Sequence, residues 1–239
     1  MQLENVVVDA LEPARVGAFW RAALDLELLS DDPGGYEARL SVPDGPWLDL
    51  CVQPVREPAT APPRLHLDLS GQGDPQAVVQ RLLSLGASHL DIGQQDVPWT
   101  VLADPEGNPF CVLEDRARHQ GTGPVAEVPI DSADPSRDQA FWAALTGWVP
   151  TSEGSERLLR HPSGRGPWLS FCPEPEARTS AKNRMHLDVR LEPGDDLDDV
   201  LADLERQGAR RFDPGWGDLP WTLLRDPSGN ELCLLPSTS

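Results

Sequence analysis

The chain has 239 residues, with 20 Lys+Arg against 39 Asp+Glu and a formal net charge of −19. A chain this acidic repels phosphate backbones, so nucleic acid is excluded as a partner, and no stretch approaches the roughly 18–20 apolar residues that a membrane span requires. At 39% hydrophobic and 25% charged, the composition is that of a chain that buries a core.

In chain order, Met1 to Glu4 carries neither a basic segment nor an apolar run. No signal peptide is therefore expected, and the cytoplasm is the expected compartment. Val6-Val7-Val8 is short and β-branched and predicts a strand. Val16, Phe19, Trp20, Ala23 and Leu24 then share one face at helical spacing. Strands follow, the last of them Trp47 to Val52, before a proline-rich connector, Pro54 to Pro63. Leu65 to Leu69 predicts another strand. Asp74-Pro75 opens a second helix, carried by Val78, Val79, Leu82 and Leu83 and stopped by Gly86. Further strands end with Phe110 to Leu113. The order strand–helix–strands thus occurs twice within about 115 residues.

The second half repeats the first. Cys51 and Cys172 are 121 residues apart, and Cys111 and Cys233 are 122 apart. Phe19-Trp20 matches Phe141-Trp142, and Pro46-Trp47-Leu48 matches Pro167-Trp168-Leu169. His66-Leu67-Asp68 matches His186-Leu187-Asp188, and Gly86-Ala87 matches Gly208-Ala209. Pro98 to Leu113 agrees with Pro220 to Leu235 at 10 of 16 positions. A period of this length is too long for a solenoid and predicts two copies of one domain. We place domain 1 at 1–115, a polar, glycine-bearing linker at 116–124 and domain 2 at 125–237. The even cysteine count without a secretion signal reads as reduced thiols, which on core strands pack as small hydrophobes.

Phe19-Trp20 and Phe141-Trp142, the two Gly-Ala stops, and the turns Asp104-Pro105-Glu106-Gly107-Asn108 and Asp226-Pro227-Ser228-Gly229-Asn230 resemble the vicinal oxygen chelate superfamily in its glyoxalase-like branch. That superfamily includes glyoxalase I, extradiol dioxygenases and bleomycin-resistance-type binding proteins. The resemblance implies an α+β fold of tandem, paired βαβββ modules forming two half-open curved sheets. The Phe-Trp pairs and the Asp-Pro-x-Gly-Asn turns read as core and hairpin chemistry.

The resemblance also implies a site on the inner face of each sheet. Its ligand positions fall on Asn5, Asp49, His66 and Cys111 in domain 1, and on Glu127, Ser170, His186 and Cys233 in domain 2. Strand alternation adds Asp68, Asp188, Trp47, Cys51, Trp168 and Cys172 to the same faces. Trp99 and Trp221 wall the hollows. His66 and His186 are the candidate catalytic groups, oriented by Asp68 and Asp188. Glu127, His186 and Cys233 are the candidate metal set, a divalent ion being the one cofactor the resemblance allows. His89, His119 and His161 sit in polar contexts and are expected to be solvated. The acidic run Asp195, Asp196, Asp198 and Asp199 reads as a helix cap.

Two functions follow as expectations. One is metal-free binding of a small organic molecule in a Trp-lined hollow, as in drug or antibiotic sequestration. The other is metal-dependent lyase, isomerase or dioxygenase chemistry. Family members often build a site across paired domains, so the expected state is a self-sufficient monomer with pseudo-dimeric domains, or a homodimer.

Overall fold

The computed structural model describes residues 1–174 and 182–238. The first module comprises β1 (Gln2–Ala10), α1 (Pro13–Leu24), β2 (Glu27–Asp32), β3 (Gly35–Ser41) and β4 (Trp47–Pro54). The second comprises β5 (Asp68–Leu69), α2 (Pro75–Leu85), β6 (Ser88–His89), β7 (Thr100–Ala103) and β8 (Pro109–Val112). A short 3-10 helix, Ala117–His119, lies between the repeats. The third module has β9 (Val125–Ser132), α3 (Pro135–Thr146), β10 (Val149–Glu153), β11 (Glu156–Arg160) and β12 (Trp168–Pro173). The fourth has β13 (Met185–Arg190), α4 (Leu197–Arg206), β14 (Arg210–Arg211), β15 (Thr222–Arg225) and β16 (Glu231–Leu235). Each module is βαβββ, as the family resemblance implies. The predicted strand over Leu65 to Leu69 is shorter than expected: Leu65 makes an isolated bridge to Ile130, and the ladder proper begins at Asp68.

The local chemistry explains the helices. Asp74, Asp134 and Asp196 each accept main-chain N–H groups at a helix start. The acidic run around α4 is therefore a cap, as expected. Gly86 and Gly147 close α2 and α3 at positive φ, where a side chain would be strained.

Two open eight-stranded sheets result, and their composition is crossed. Sheet A runs β14-β15-β16-β13-β1-β4-β3-β2, and sheet B runs β10-β11-β12-β9-β5-β8-β7-β6. Each sheet takes one module from each repeat. The seam of sheet A is β1 against β13, antiparallel, with Asn5 opposite Asp188 and Val7 opposite His186. The seam of sheet B is β5 against β9, with Asp68 opposite Glu127. This corrects the expectation that Asn5 and Asp49 would share a hollow with His66 and Cys111. The first-strand candidates exchange partners, so each hollow is built from both repeats.

Alternation along the seam strands separates core from site. Val6, Val8, Met185, Leu187 and Val189 join one apolar core with Phe19, Trp20, Phe141 and Trp142, while Asn5, Val7, His186 and Asp188 point the other way into a hollow. The Asp-Pro-x-Gly-Asn turns do more than reverse the chain. Asp104 accepts the main-chain N–H groups of Glu106 and Asn108, and Trp20 Nε1 donates to it at 3.4 Å. Asp226 repeats this with Trp142 Nε1 at 3.1 Å. Burial raises both carboxyls above the usual range, against these hydrogen bonds.

Candidate functional site

The hollow of sheet A holds a cavity of about 370 Å³. Its floor comes from the seam and β16. Asn5 Nδ2 donates to Asp188 Oδ2 at 3.0 Å. His186 Nε2 lies 3.4 Å from Asp188 Oδ1 and 3.4 Å from Cys233 Sγ. His186 Nδ1 and Asn5 Oδ1 are buried without a hydrogen-bond partner in the protein. Phe212, Trp216, Trp221 and Leu223 form an apolar wall, with Trp221 about one-third exposed at the mouth. Burial first, and the charge of Asp188 second, push the Cys233 thiol far above its usual range, and burial followed by the charge of Glu37 raises Cys51. Both are held protonated and are poor nucleophiles.

Two further candidates lie beside this floor but are engaged. Asp49 is gripped by Arg39 in a two-pronged pair at 2.7 Å, and the Arg39 guanidinium stacks 4.0 Å over Trp47. Asp49 and Trp47 therefore form a lateral brace, outside the lining of the 370 Å³ cavity.

Sheet B carries the equivalent residues in a different state. His66 Nε2 is 3.3 Å from Asp68 Oδ1, and Cys111 completes that group. Where sheet A has Phe212, Trp221, Leu223 and Leu235 around open space, the repeat counterparts Leu90, Trp99, Val101 and Leu113 pack on one another with Cys111 and Ala126. The rest of the face is covered by the linker. Glu127 Oε1 receives Arg118 Nε at 3.1 Å and Arg118 Nη2 at 2.7 Å, and lies 2.9 Å from His119 Nε2. Trp168 Nε1 donates to the Arg118 carbonyl at 3.0 Å, and Arg160 stacks 4.4 Å over the Trp168 ring. Ser170 is buried beside them without a partner for its hydroxyl.

Several expectations are corrected here. His119 is buried, not solvated, because it serves as a partner for the buried Glu127 carboxylate. His161 is half-buried against the edge of Trp148 and close to Ser163, and burial lowers its basicity. His89 is exposed as expected. Glu127 does not meet His186 and Cys233. It stands on β9 in sheet B, and its place beside those two is taken by Asp188. His186, Asp188 and Cys233 form one compact group, and His66, Asp68 and Cys111 the other. Sequence reasoning also missed Phe212, Trp216 and Lys182 as cavity residues. A signal was present: where the first repeat has Leu90 and Gln94, the second has Phe212 and Trp216.

Burial pushes the Glu127 carboxyl up, but His119 and Arg118 outweigh it and hold it below the ordinary carboxylate range. The sign for stability follows. A depressed folded pKa contributes stability above the unfolded value, and that stability is lost as pH falls through the folded one. Glu127→Gln is therefore expected to cost about 1.5–3 kcal/mol at pH 7, read by urea denaturation. The gap to the unaltered protein should narrow below about pH 4. An equal gap at both pH values would refute the charge-based account.

A metal at the floor of sheet A can be tested on the donor set. Tetrahedral coordination with bond lengths of about 2.0–2.3 Å places neighbouring donors roughly 3.3–3.6 Å apart. The His186–Asp188 and His186–Cys233 separations of 3.4 Å fit that spacing. Cys233 would lose its proton on joining such a set, since a coordinating thiol is a thiolate.

The glyoxalase-like domain family matches this chain twice, over residues 5–113 and 127–235. Glyoxalase I from Zea mays shares the fold at a TM-score of 0.67 and 14% identity, covering 98% of this chain and 92% of that one. A putative dioxygenase from Bacillus subtilis subsp. subtilis str. 168 does so at a TM-score of 0.62 and 14% identity, covering 100% and 86%. No curated protein sequence matches the chain. Among the described residues no helix is long and apolar enough to cross a membrane. With both repeats matched end to end, the chain belongs to the glyoxalase-like domain family of the vicinal oxygen chelate superfamily, as a tandem of two domains.

Proposed function

We propose that the protein binds a small, flat organic molecule in the hollow of sheet A, in the manner of a sequestering protein, without a metal. The observation that carries this reading is the open cavity itself, with aromatic walls from Phe212, Trp216 and Trp221 over a floor carrying Asn5, His186 and Asp188. A mostly apolar enclosure with a few convergent polar groups is the usual composition of a small-molecule site. Trp faces favour flat partners. His186 and Asp188 would orient the ligand from the cavity floor, while the Cys233 thiol fills space.

A ligand library followed by tryptophan fluorescence tests the reading. A true ligand should lose about tenfold or more in affinity with Trp221→Ala, about 1.4 kcal/mol or more, and be unaffected by Trp99→Ala on the packed face. Equal losses, or no ligand at all, would count against it.

The His186–Asp188–Cys233 group favours a second reading, a lyase, isomerase or dioxygenase holding a divalent ion. Such an ion would supply Lewis-acid polarisation of a substrate oxygen. Metal analysis of untagged protein distinguishes the two. One equivalent lost on His186→Ala, and kept on His66→Ala, supports the enzyme.

A further inference from the structure

We infer that the ligand of the sheet A cavity is an organic anion, whose flat apolar body lies against the aromatic wall and whose carboxylate, sulfonate or phosphate head sits in a second recess beside it. This rests on the binding function proposed above. The recess measures about 540 Å³. It continues the first cavity, because Gln53, Lys182, Trp216 and Trp221 line both. Its far side is the connector after β4, through Arg56, Glu57 and Thr60, together with Arg184 just ahead of β13.

The charge of this recess runs against that of the chain. The sequence carries 39 acidic against 20 basic residues, yet the cations Arg56, Lys182 and Arg184 outnumber the carboxylates Asp9 and Glu57 around the recess. Asp9 is already taken, since its buried side chain pairs with Lys182 and accepts from Gln53 Nε2 at 3.3 Å. Arg184 donates to the main-chain carbonyl of Glu57, a neutral acceptor. Among the described residues neither Arg56 nor Arg184 has a carboxylate partner. An ammonium has three N–H donors and a guanidinium five, so these contacts leave most of the donors to a ligand. An anionic head with several acceptor oxygens is the complement of such a recess. The distant acidic surface is screened over about 8 Å at physiological ionic strength, whereas these cations meet the head directly.

The repeat supports this separately. Lys182 is the only lysine in the chain, and its Nζ lies 5.6 Å from the centre of the Trp216 ring. The counterparts of Lys182 and Trp216 in the first repeat are Pro62 and Gln94. Cation and aromatic wall therefore occur together, on the sheet whose hollow is open, and are both missing where the hollow is packed shut.

Anilinonaphthalene sulfonate and phenylnaphthylamine, the same ring system without the sulfonate, test the inference by fluorescence titration. The sulfonate should bind with one equivalent, about tenfold or more tighter than the neutral amine, as one charge-assisted hydrogen bond would give. Arg56→Gln/Arg184→Gln should bring the two probes to within about threefold of each other and leave the affinity of the amine unchanged. Lys182 is kept, because its loss would strand the buried Asp9 carboxylate. Where the double variant does not fold, Arg56→Gln on the exposed connector should alone weaken the sulfonate about threefold. Equal affinities in the unaltered protein, or a preference for the sulfonate that survives these changes, would overturn the inference while leaving the cavity reading intact. Binding of neither probe would overturn the inference and count against the cavity as well. Trp221→Ala should weaken both probes alike, and failure to do so would tell against the cavity reading first.

Discussion

Expressed alone, residues 1–115 should not behave as a folded monomer; light scattering should give twice the fragment mass. Within the fragment β1 keeps its parallel partner β4 but loses β13, and the two-residue β5 keeps β8 but loses β9. Both strands become open edges next to a large apolar core, the arrangement that recruits another chain. A second copy can supply what is missing, module one of each pairing with module two of the other about a twofold axis. Mixing 1–115 with 116–239 should instead favour a one-to-one complex with the melting profile of the intact chain. A monomeric 1–115 with a cooperative thermal transition would contradict the crossed pairing.

Trp142→Ala should be the most damaging single core change, at about 3–5 kcal/mol. The indole is 1% exposed, packs edge-on against Phe141 with 6.0 Å between ring centres, and donates to Asp226. Truncation leaves a large void and also strips a partner from a carboxyl that burial already disfavours as an anion. Since domains are stable by about 5–15 kcal/mol, much of the folded margin would go. Trp142→Phe separates the two causes, because it fills most of the void while losing the N–H donor. Chemical denaturation of both variants measures the split, and an Ala variant within 1 kcal/mol of the parent would show that the core relaxes around the gap.

The fold was legible because its signals are local and occur twice. Phe19-Trp20, the Gly86 stop and the Asp104 turn each report a backbone geometry with a chemical cause, and their recurrence fixed the module count. Pairing of modules was not legible. His66 and His186 face inward whether a sheet is built within a repeat or across repeats, since alternation along a strand says nothing about the neighbouring strand. That ambiguity placed Glu127 with His186 in the expected metal set and left Asp188 out. The fate of the linker was hidden for a related reason. Arg118 and His119 read as polar surface, and only the buried carboxylate opposite them makes them interior residues.

The seam of sheet A also has a consequence during synthesis. The first strand precedes its antiparallel partner, which begins at Met185, by about 175 residues of chain. Sheet B can be assembled by about residue 173, its last strand being β12. For the interval between, a row of main-chain donors and acceptors on Asn5 to Val8 waits without its mate, while the nascent chain is still growing at about 5–20 residues per second. The hollow that we propose as the binding site is thus completed only after sheet B.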